Sequence, residues 1–149
     1  MYWHETWAIT RYLCAWIDAF DTWALCKILR IPYTRHITNA DVRAVSVCLP
    51  LSNMAMERRL RFFGHIAHSA PDEDHHRAVA AAIHKPPSDW KRPPGRPNRT
   101  WLRTIESDLR PLNIGPSYMS KKAASREHWR SIVDMLKKSM PRREVRECV

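Results

Sequence analysis

Glycine is scarce in this chain of 149 residues, which contains only Gly64, Gly95 and Gly115. Three scattered glycines exclude the glycine-rich loops that cradle phosphates in nucleotide-binding proteins. Cysteine is also sparse: there are four residues and no C-x-x-C pair, which excludes a disulfide scaffold and favours a reducing, intracellular setting. Long segments of alternating polar and apolar residues are missing as well, so no β-strand is predicted.

Acidic residues are outnumbered, since 15 Asp and Glu accompany 25 Lys and Arg and the formal net charge is +10. Residues 1–30 are neutral, with Arg11, Lys27 and Arg30 balanced by Glu5, Asp18 and Asp21. The whole excess therefore lies beyond Arg30, and it suits a polyanionic partner such as nucleic acid or an anionic membrane surface. Because charges interrupt the apolar start of the chain, that start is predicted to be neither a secretory signal nor a membrane span.

Apolar residues recur at helical spacing along most of the chain, which predicts an all-α fold. We expect an irregular bundle of about six or seven helices with a Pro-rich basic linker. The helical regions are predicted at 1–84 and 98–149, with the linker at 85–97. The first helix carries Ile9, Leu13, Trp16, Phe20 and Trp23 on one face. Core packing is the default expectation for the tryptophans on apolar faces, namely Trp7, Trp16, Trp23, Trp101 and Trp129.

A capping box, Thr38-Asn39-Ala40-Asp41, predicts the start of a short second helix. In such a box the side-chain oxygen of the first residue accepts a hydrogen bond from a free backbone amide of the helix. The acidic side chain three residues later bonds back to the first residue. Val42, Val45 and Leu49 are predicted to face inward from this helix, which ends before Pro50.

The segment from Ser52 to Ser69 is the most regular amphipathic helix of the sequence. Its apolar side carries Met56, Leu60, Phe63 and Ala67, and its opposite side carries Arg58, Arg61, His65 and His68. Cations that repeat every turn or two can follow the phosphates of a nucleic-acid strand. An ordinary solvated helix face is the alternative interpretation. Gly64 is unfavourable within a helix and therefore predicts a bend or a close contact with another helix.

The linker contains a second basic segment, Lys91-Arg92-Pro93-Pro94-Gly95-Arg96-Pro97-Asn98-Arg99. It resembles a minor-groove hook, in which an extended Gly-Arg-Pro core enters a narrow A·T groove and flanking cations contact phosphates. A semi-rigid proline linker that leads into a helix is the alternative. The two interpretations are compatible.

Histidines and acids are concentrated between His65 and His76, which raises the question of a metal site. The candidates are His65, His68, Asp72, Glu73, Asp74, His75 and His76. Zinc sites commonly include cysteine, and no cysteine lies between Cys48 and Cys148. The acids suit the first turn of a helix, where they complement its dipole. We therefore predict no metal, no cofactor and no catalytic residues.

Three ordered segments resemble a known family. The first comprises Tyr2-Trp3-His4-Glu5-Thr6-Trp7, Ile17 to Phe20, Ile28 to Ile31, and Thr38-Asn39; the second is Glu57 to Ile66. The third comprises Gly95-Arg96-Pro97, Arg99, Trp101, Asp108-Leu109, Arg126 and Trp129-Arg130. In this order, from Tyr2 to about Lys138, they resemble the region after the polymerase core in endonuclease/reverse-transcriptase polyproteins of non-LTR (LINE-type) retrotransposons.

The resemblance implies a C-terminal piece of such a polyprotein rather than an enzyme. The aromatic-x-Asp-Asp pair of the polymerase is missing, as are the endonuclease segment and the Cys/His knuckle of many such elements. Met1 is therefore expected to be an internal methionine or a gene-model start.

The predicted function is sequence-tolerant binding of RNA or DNA, in an intracellular and nuclear location, with no membrane association. The candidate contacts are Arg58, Arg59, Arg61, His65, His68, Lys91, Arg92, Arg96, Arg99 and Arg103. One alternative is an interaction or structural piece that packed on the polymerase core, and another is a transposon relic without function. We also expect self-association through the aromatic first helix.

Overall fold

The computed structural model describes residues 4–83, 95 and 100–139. Within these residues the chain forms seven α-helices, two short 3-10 helices and no β-strand, so the predicted all-α fold is confirmed. The helices are α1 (Arg11–Ile28), α2 (Asn39–Ser46), α3 (Leu51–Ala67), α4 (Asp74–Ile83), α5 (Trp101–Leu109), α6 (Pro116–Ala123) and α7 (Arg126–Ser139). The 3-10 helices are His4–Thr6 and Arg110–Leu112.

The predicted capping box begins α2. Thr38 Oγ1 accepts a hydrogen bond from the Asp41 backbone amide at 3.2 Å, and the Thr38 hydroxyl donates to the Asp41 carboxylate at 2.7 Å. The predicted inward face of this helix is only partly correct. Val42 is buried and Val45 is exposed, whereas Leu49 is exposed beyond the end of the helix, because α2 stops at Ser46 and Val47 adopts a left-handed backbone conformation.

Helix α3 lies at the centre of the fold and contacts α1, α4, α5, α6, α7 and the first 3-10 helix. Its Met56, Leu60 and Phe63 join a core completed by Ile105, Leu109, Met119, Ala123, Trp129, Ile132, Val133 and Leu136. Burial of each large apolar side chain contributes roughly 1.5–3 kcal/mol. The two predicted helical regions, 1–84 and 98–149, therefore share one hydrophobic core.

Gly64 is the point at which α3 meets α7. A Cβ atom at this position would overlap the ring of Trp129. The Trp129 Nε1 group donates to the Leu60 carbonyl oxygen at 2.9 Å, and its ring lies 5.3 Å from that of Phe63. Glycine thus permits the close helix contact that its position in the sequence predicts.

Helix α1 packs on α2 and α3 through polar side chains. Asp18 and Thr22 are its buried residues. The Asp18 carboxylate accepts two hydrogen bonds from Ser52, one from the backbone amide at 2.9 Å and one from the hydroxyl at 2.6 Å. Arg43 donates to Thr22 Oγ1 at 3.0 Å and pairs with Asp21 at 2.7 Å. A polar network therefore sets the orientation of α1.

The aromatic face of α1 points away from the rest of the protein. Trp16 is 63% exposed, Phe20 65% and Trp23 57%. The prediction that Trp16 and Trp23 pack in the core is wrong, because the polar network occupies the inner side of the helix. Trp7 is about half exposed, whereas Trp129 is buried and Trp101 is partly buried against the core.

None of the helices in the described part of the chain combines the length and the apolar character that crossing a bilayer requires.

Candidate nucleic-acid interface

The basic face of α3 lies opposite its buried Leu60 and Phe63. Arg58, Arg61 and His65 are exposed on this side, and His68 is half-buried. The helical period places these four positions within one sector of the helix surface. They nevertheless lie in two different surroundings, because different elements flank the two halves of α3.

The C-terminal half of the basic face forms one wall of a groove, and α7 forms the other wall. The groove has a volume of about 300 Å³. Its α3 wall comprises Arg61, Gly64, His65 and His68, and its α7 wall comprises Arg126, Trp129, Arg130, Val133 and Asp134. Gly64 and Trp129, which form the close helix contact, hold the walls together. Cationic side chains from distant parts of the sequence thus meet across one depression.

The groove has more positive than negative charge. Arg61 Nη2 pairs with Glu57 Oε1 at 2.7 Å, and Lys137 Nζ pairs with Glu57 Oε2 at 3.2 Å, so one carboxylate serves two cations. In the described part of the chain, Arg126 and Arg130 have no carboxylate within ion-pair distance. Asp134 is the acidic residue among the groove's lining residues. An anion entering the groove would therefore meet two exposed guanidinium groups that are not held in ion pairs, with Asp134 as the acidic group nearby.

His68 lines the groove at the C-terminal end of α3 and is half-buried. Its Nδ1 atom contacts the Gly64 carbonyl oxygen, one helical turn earlier. Since a carbonyl only accepts hydrogen bonds, this contact places a hydrogen on Nδ1. The Nε2 atom is buried and has no hydrogen-bond partner among the described residues.

Arg58 belongs to a separate, mainly apolar pocket of about 210 Å³. The other residues that line this pocket are Trp7, Ile9, Ile17, Leu51, Met54 and Ala55. The structure therefore divides the predicted basic stripe, with Arg58 beside an apolar depression and Arg61 and His65 beside the cationic groove.

Arg59 requires a correction. Only 3% of this residue is exposed, and its Nε and Nη2 groups both donate to Asp108 Oδ2, at 2.9 and 2.6 Å. It lies one residue beyond Arg58, which rotates it by about 100° toward α5. The prediction that Arg59 contacts nucleic acid is wrong, because its guanidinium group is committed to joining α3 and α5.

The remaining candidates are distributed as follows. Arg103 is exposed in the first turn of α5, where its backbone amide donates to the Thr100 hydroxyl at 3.4 Å. Lys91, Arg92, Arg96 and Arg99 lie outside the described residues, as does most of the predicted linker 85–97.

The acidic and histidine-rich segment forms local pairs. His75 Nε2 lies 2.8 Å from Glu73 Oε2, and Arg77 lies 3.8 Å from Asp74. Among residues 4–83, 95 and 100–139, no three His, Cys, Asp or Glu side chains are grouped so that they could hold a metal ion.

Arg126 and Arg130 were missed as candidate contacts. They lie four residues apart on either side of Trp129, and this spacing was visible in the sequence. Which helix they face depends on the packing of α7 against α3, and that contact joins residues 69 positions apart. Spacing within one helix could identify the pair of cations, but not the groove.

Comparison of the chain with protein-family models, with curated proteins and with solved structures found no match. The resemblance to retrotransposon polyproteins therefore stays a hypothesis from the sequence. The geometry and charge of the groove are the basis for a functional proposal.

Proposed function

We propose that this protein is a non-catalytic nucleic-acid-binding module that holds the phosphate backbone of RNA or DNA in the groove between α3 and α7. The observation that carries this proposal is the convergence of Arg61 and His65 from α3 with Arg126 and Arg130 from α7. These side chains come from two helices that a close packing contact holds together, so the charges are arranged before a ligand arrives.

Guanidinium groups suit this role because their planar donors match the oxygens of a phosphate. Contacts to phosphate position a strand but carry no sequence information. Trp129 is buried in the α3–α7 contact and is thus unavailable for base stacking. A groove of this composition supports binding that does not depend on the nucleotide sequence and whose affinity depends on salt.

The resemblance to the post-polymerase region of non-LTR retrotransposon polyproteins is consistent with this proposal. In that setting, a basic module without catalytic residues would keep an RNA template or a DNA target strand close to a polymerase. A nuclear location belongs to the same hypothesis.

The first prediction concerns the two arginines on α7. In the double variant Arg126→Gln, Arg130→Gln, binding should weaken about equally for unrelated sequences. The slope of log K against log salt should shrink by about 1.8 for duplex DNA, since each lost phosphate contact removes roughly 0.9. Fluorescence-anisotropy titrations at several salt concentrations measure both quantities.

The matched control is Arg35→Gln, Arg110→Gln, which removes the same charge from two exposed arginines that do not line the groove. This control should retain most of the parental salt slope. Circular dichroism should show the same helicity for all three proteins, because Arg126 and Arg130 are exposed. Equal losses of affinity and of salt slope in the two double variants would show that only net charge matters. They would refute the proposal that the groove is the binding site.

A further inference from the structure

Helices α3 and α7 run antiparallel along the groove. Gly64 and Trp129 meet at the close contact, and Glu57 Oε2 pairs with Lys137 Nζ at 3.2 Å. Glu57 lies before Gly64 in α3, whereas Lys137 lies after Trp129 in α7. With a rise of about 1.5 Å per residue, both are displaced from the close contact by roughly 10–12 Å in the same direction. The start of α7 therefore lies beside the end of α3.

The end of the groove beside the start of α7 is rich in cations, and we call it the cationic end. The groove-lining residues with basic side chains there are His65, His68, Arg126 and Arg130. They are spread over only about 8 Å along the helix axes. Glu127, the neighbouring acid on α7, does not line the groove. Donors from two opposing walls therefore surround one small volume.

The opposite end of the groove is acidic, and we call it the acidic end. Asp134 lines it from α7, one turn beyond Arg130, and Arg61 lines it from α3. The Arg61 guanidinium group is paired with Glu57, which also binds Lys137. A phosphate at the acidic end would meet the like charge of Asp134 beside a cation that already has a carboxylate partner. Only the cationic end is therefore suited to a phosphate.

A terminal phosphate fits this uneven distribution of charge better than an internal one does. A phosphate monoester has about −1.5 to −2 charges at neutral pH and three free oxygens, so it can accept hydrogen bonds from both walls at once. An internal phosphodiester has a single charge and two free oxygens, because the other two join the neighbouring nucleotides. A strand lying along the groove would also carry its next phosphate into the acidic end.

We infer, building on the proposed function and dependent on it, that the cationic end holds the terminal phosphate of a nucleic-acid strand as a monoester. Arg126 and Arg130 bind its oxygens from the α7 wall, and His65 faces them from the α3 wall. The strand leaves the groove from the cationic end, so that its internal phosphates avoid Asp134. The phosphate can be at the 5′ or at the 3′ end, since both are monoesters with the same free oxygens.

The test compares single-stranded oligothymidylates of about twelve nucleotides, a length typical of single-strand binding sites. One has hydroxyl groups at both ends, one has a 5′-phosphate and one has a 3′-phosphate. In fluorescence-anisotropy titrations of the full chain, at least one phosphorylated strand should bind about tenfold tighter than the hydroxyl strand, as expected for added hydrogen bonds to charged groups. The strand that does so identifies the bound end.

A hydroxyl-ended strand two nucleotides longer is the matched control for charge, because it gains two diester phosphates. Its affinity should exceed that of the shorter hydroxyl strand by less than about twofold, since phosphates outside the groove add little. If it binds as tightly as the phosphorylated strand, total charge explains the preference and the inference is overturned.

Two groove variants test the two ends separately. In Arg126→Gln, Arg130→Gln, the preference for the terminal phosphate should fall below about twofold, whereas the control Arg35→Gln, Arg110→Gln should retain it. In Asp134→Asn, the hydroxyl strand should bind more tightly and the preference should shrink by about threefold, because a continuous strand can then lie along the groove. An unchanged preference in Asp134→Asn would contradict the role of the acidic end and overturn the inference.

Failure of the inference and failure of the proposed function give different results. If the parent binds all the strands equally, and Arg126→Gln, Arg130→Gln weakens all of them, the groove binds internal phosphates and only the inference fails. If that variant binds every strand as tightly as the parent, the groove is not the binding site and the proposed function fails with it.

Discussion

Helices α1 and α3 pack against each other, yet they arrange their side chains in opposite ways. Helix α3 buries Leu60 and Phe63 and exposes cations, as expected for an amphipathic helix on a core. Helix α1 buries Asp18 and Thr22 and exposes a row of aromatic residues. Helix α3 therefore turns its apolar face toward the core, whereas α1 turns its aromatic face toward solvent.

The difference lies in what each helix meets. Helix α3 faces apolar residues of α5, α6 and α7, so burial of its apolar side stabilises the folded protein. Helix α1 faces Arg43 and the start of α3, where the Ser52 amide needs an acceptor. A buried donor without a partner is costly, and Asp18 removes that cost with two hydrogen bonds. The buried polar contacts that α1 makes with Ser52 and Arg43 therefore decide its orientation.

The largest effect is expected from Phe63→Ala on α3. Phe63 is 1% exposed and contacts the rings of Trp101 and Trp129. Its truncation leaves a cavity in the shared core and should lower the free energy of unfolding by about 4 kcal/mol. Urea denaturation, read as the shift in midpoint at constant slope, measures this loss. A loss below about 1 kcal/mol would show that α3 is not the centre of the core.

A smaller loss is expected from Asp18→Asn on α1. The amide keeps the shape of the carboxylate but removes its charge, and it turns one acceptor facing Ser52 into a donor. Hydrogen bonds to charged groups contribute roughly 1.5–3 kcal/mol, so the free energy of unfolding should fall by about 2 kcal/mol.

The control for this variant is Asp134→Asn, the same change at an exposed position of α7. It should alter the free energy of unfolding by no more than about 0.5 kcal/mol. Equal effects of the two substitutions in urea denaturation would mean that the polar network does not anchor α1.

Much of the fold follows from local patterns. Helical periodicity predicts the all-α class and the apolar face of α3, and the Thr38 capping box predicts the start of α2. The orientation of α1 does not follow, because periodicity identifies a face without saying what it will meet. The Asp18–Ser52 contact, which decides the matter, joins residues 34 positions apart.

The candidate site is likewise predictable only where it depends on the pattern of a single helix. Arg61 and His65 are exposed where the pattern of α3 places them, but Arg59 is buried because Asp108 comes to it from 49 positions away. Arg126 and Arg130 complete the groove only because Gly64 admits Trp129. Contacts between distant segments, rather than the composition of any one helix, assemble the site.

The smallest effect is expected from Phe20→Ala, the same substitution as Phe63→Ala but on the aromatic face of α1. Phe20 is 65% exposed, and its ring contacts that of Trp23 at a centroid distance of 5.8 Å. Little buried area is lost, and alanine has a higher helix propensity than phenylalanine by roughly 0.5 kcal/mol. The free energy of unfolding should therefore change by less than about 0.5 kcal/mol, in contrast to the large loss at Phe63. If urea denaturation showed a loss above about 2 kcal/mol, Phe20 would be packed in the folded protein, and the opposite arrangement of α1 and α3 would not exist.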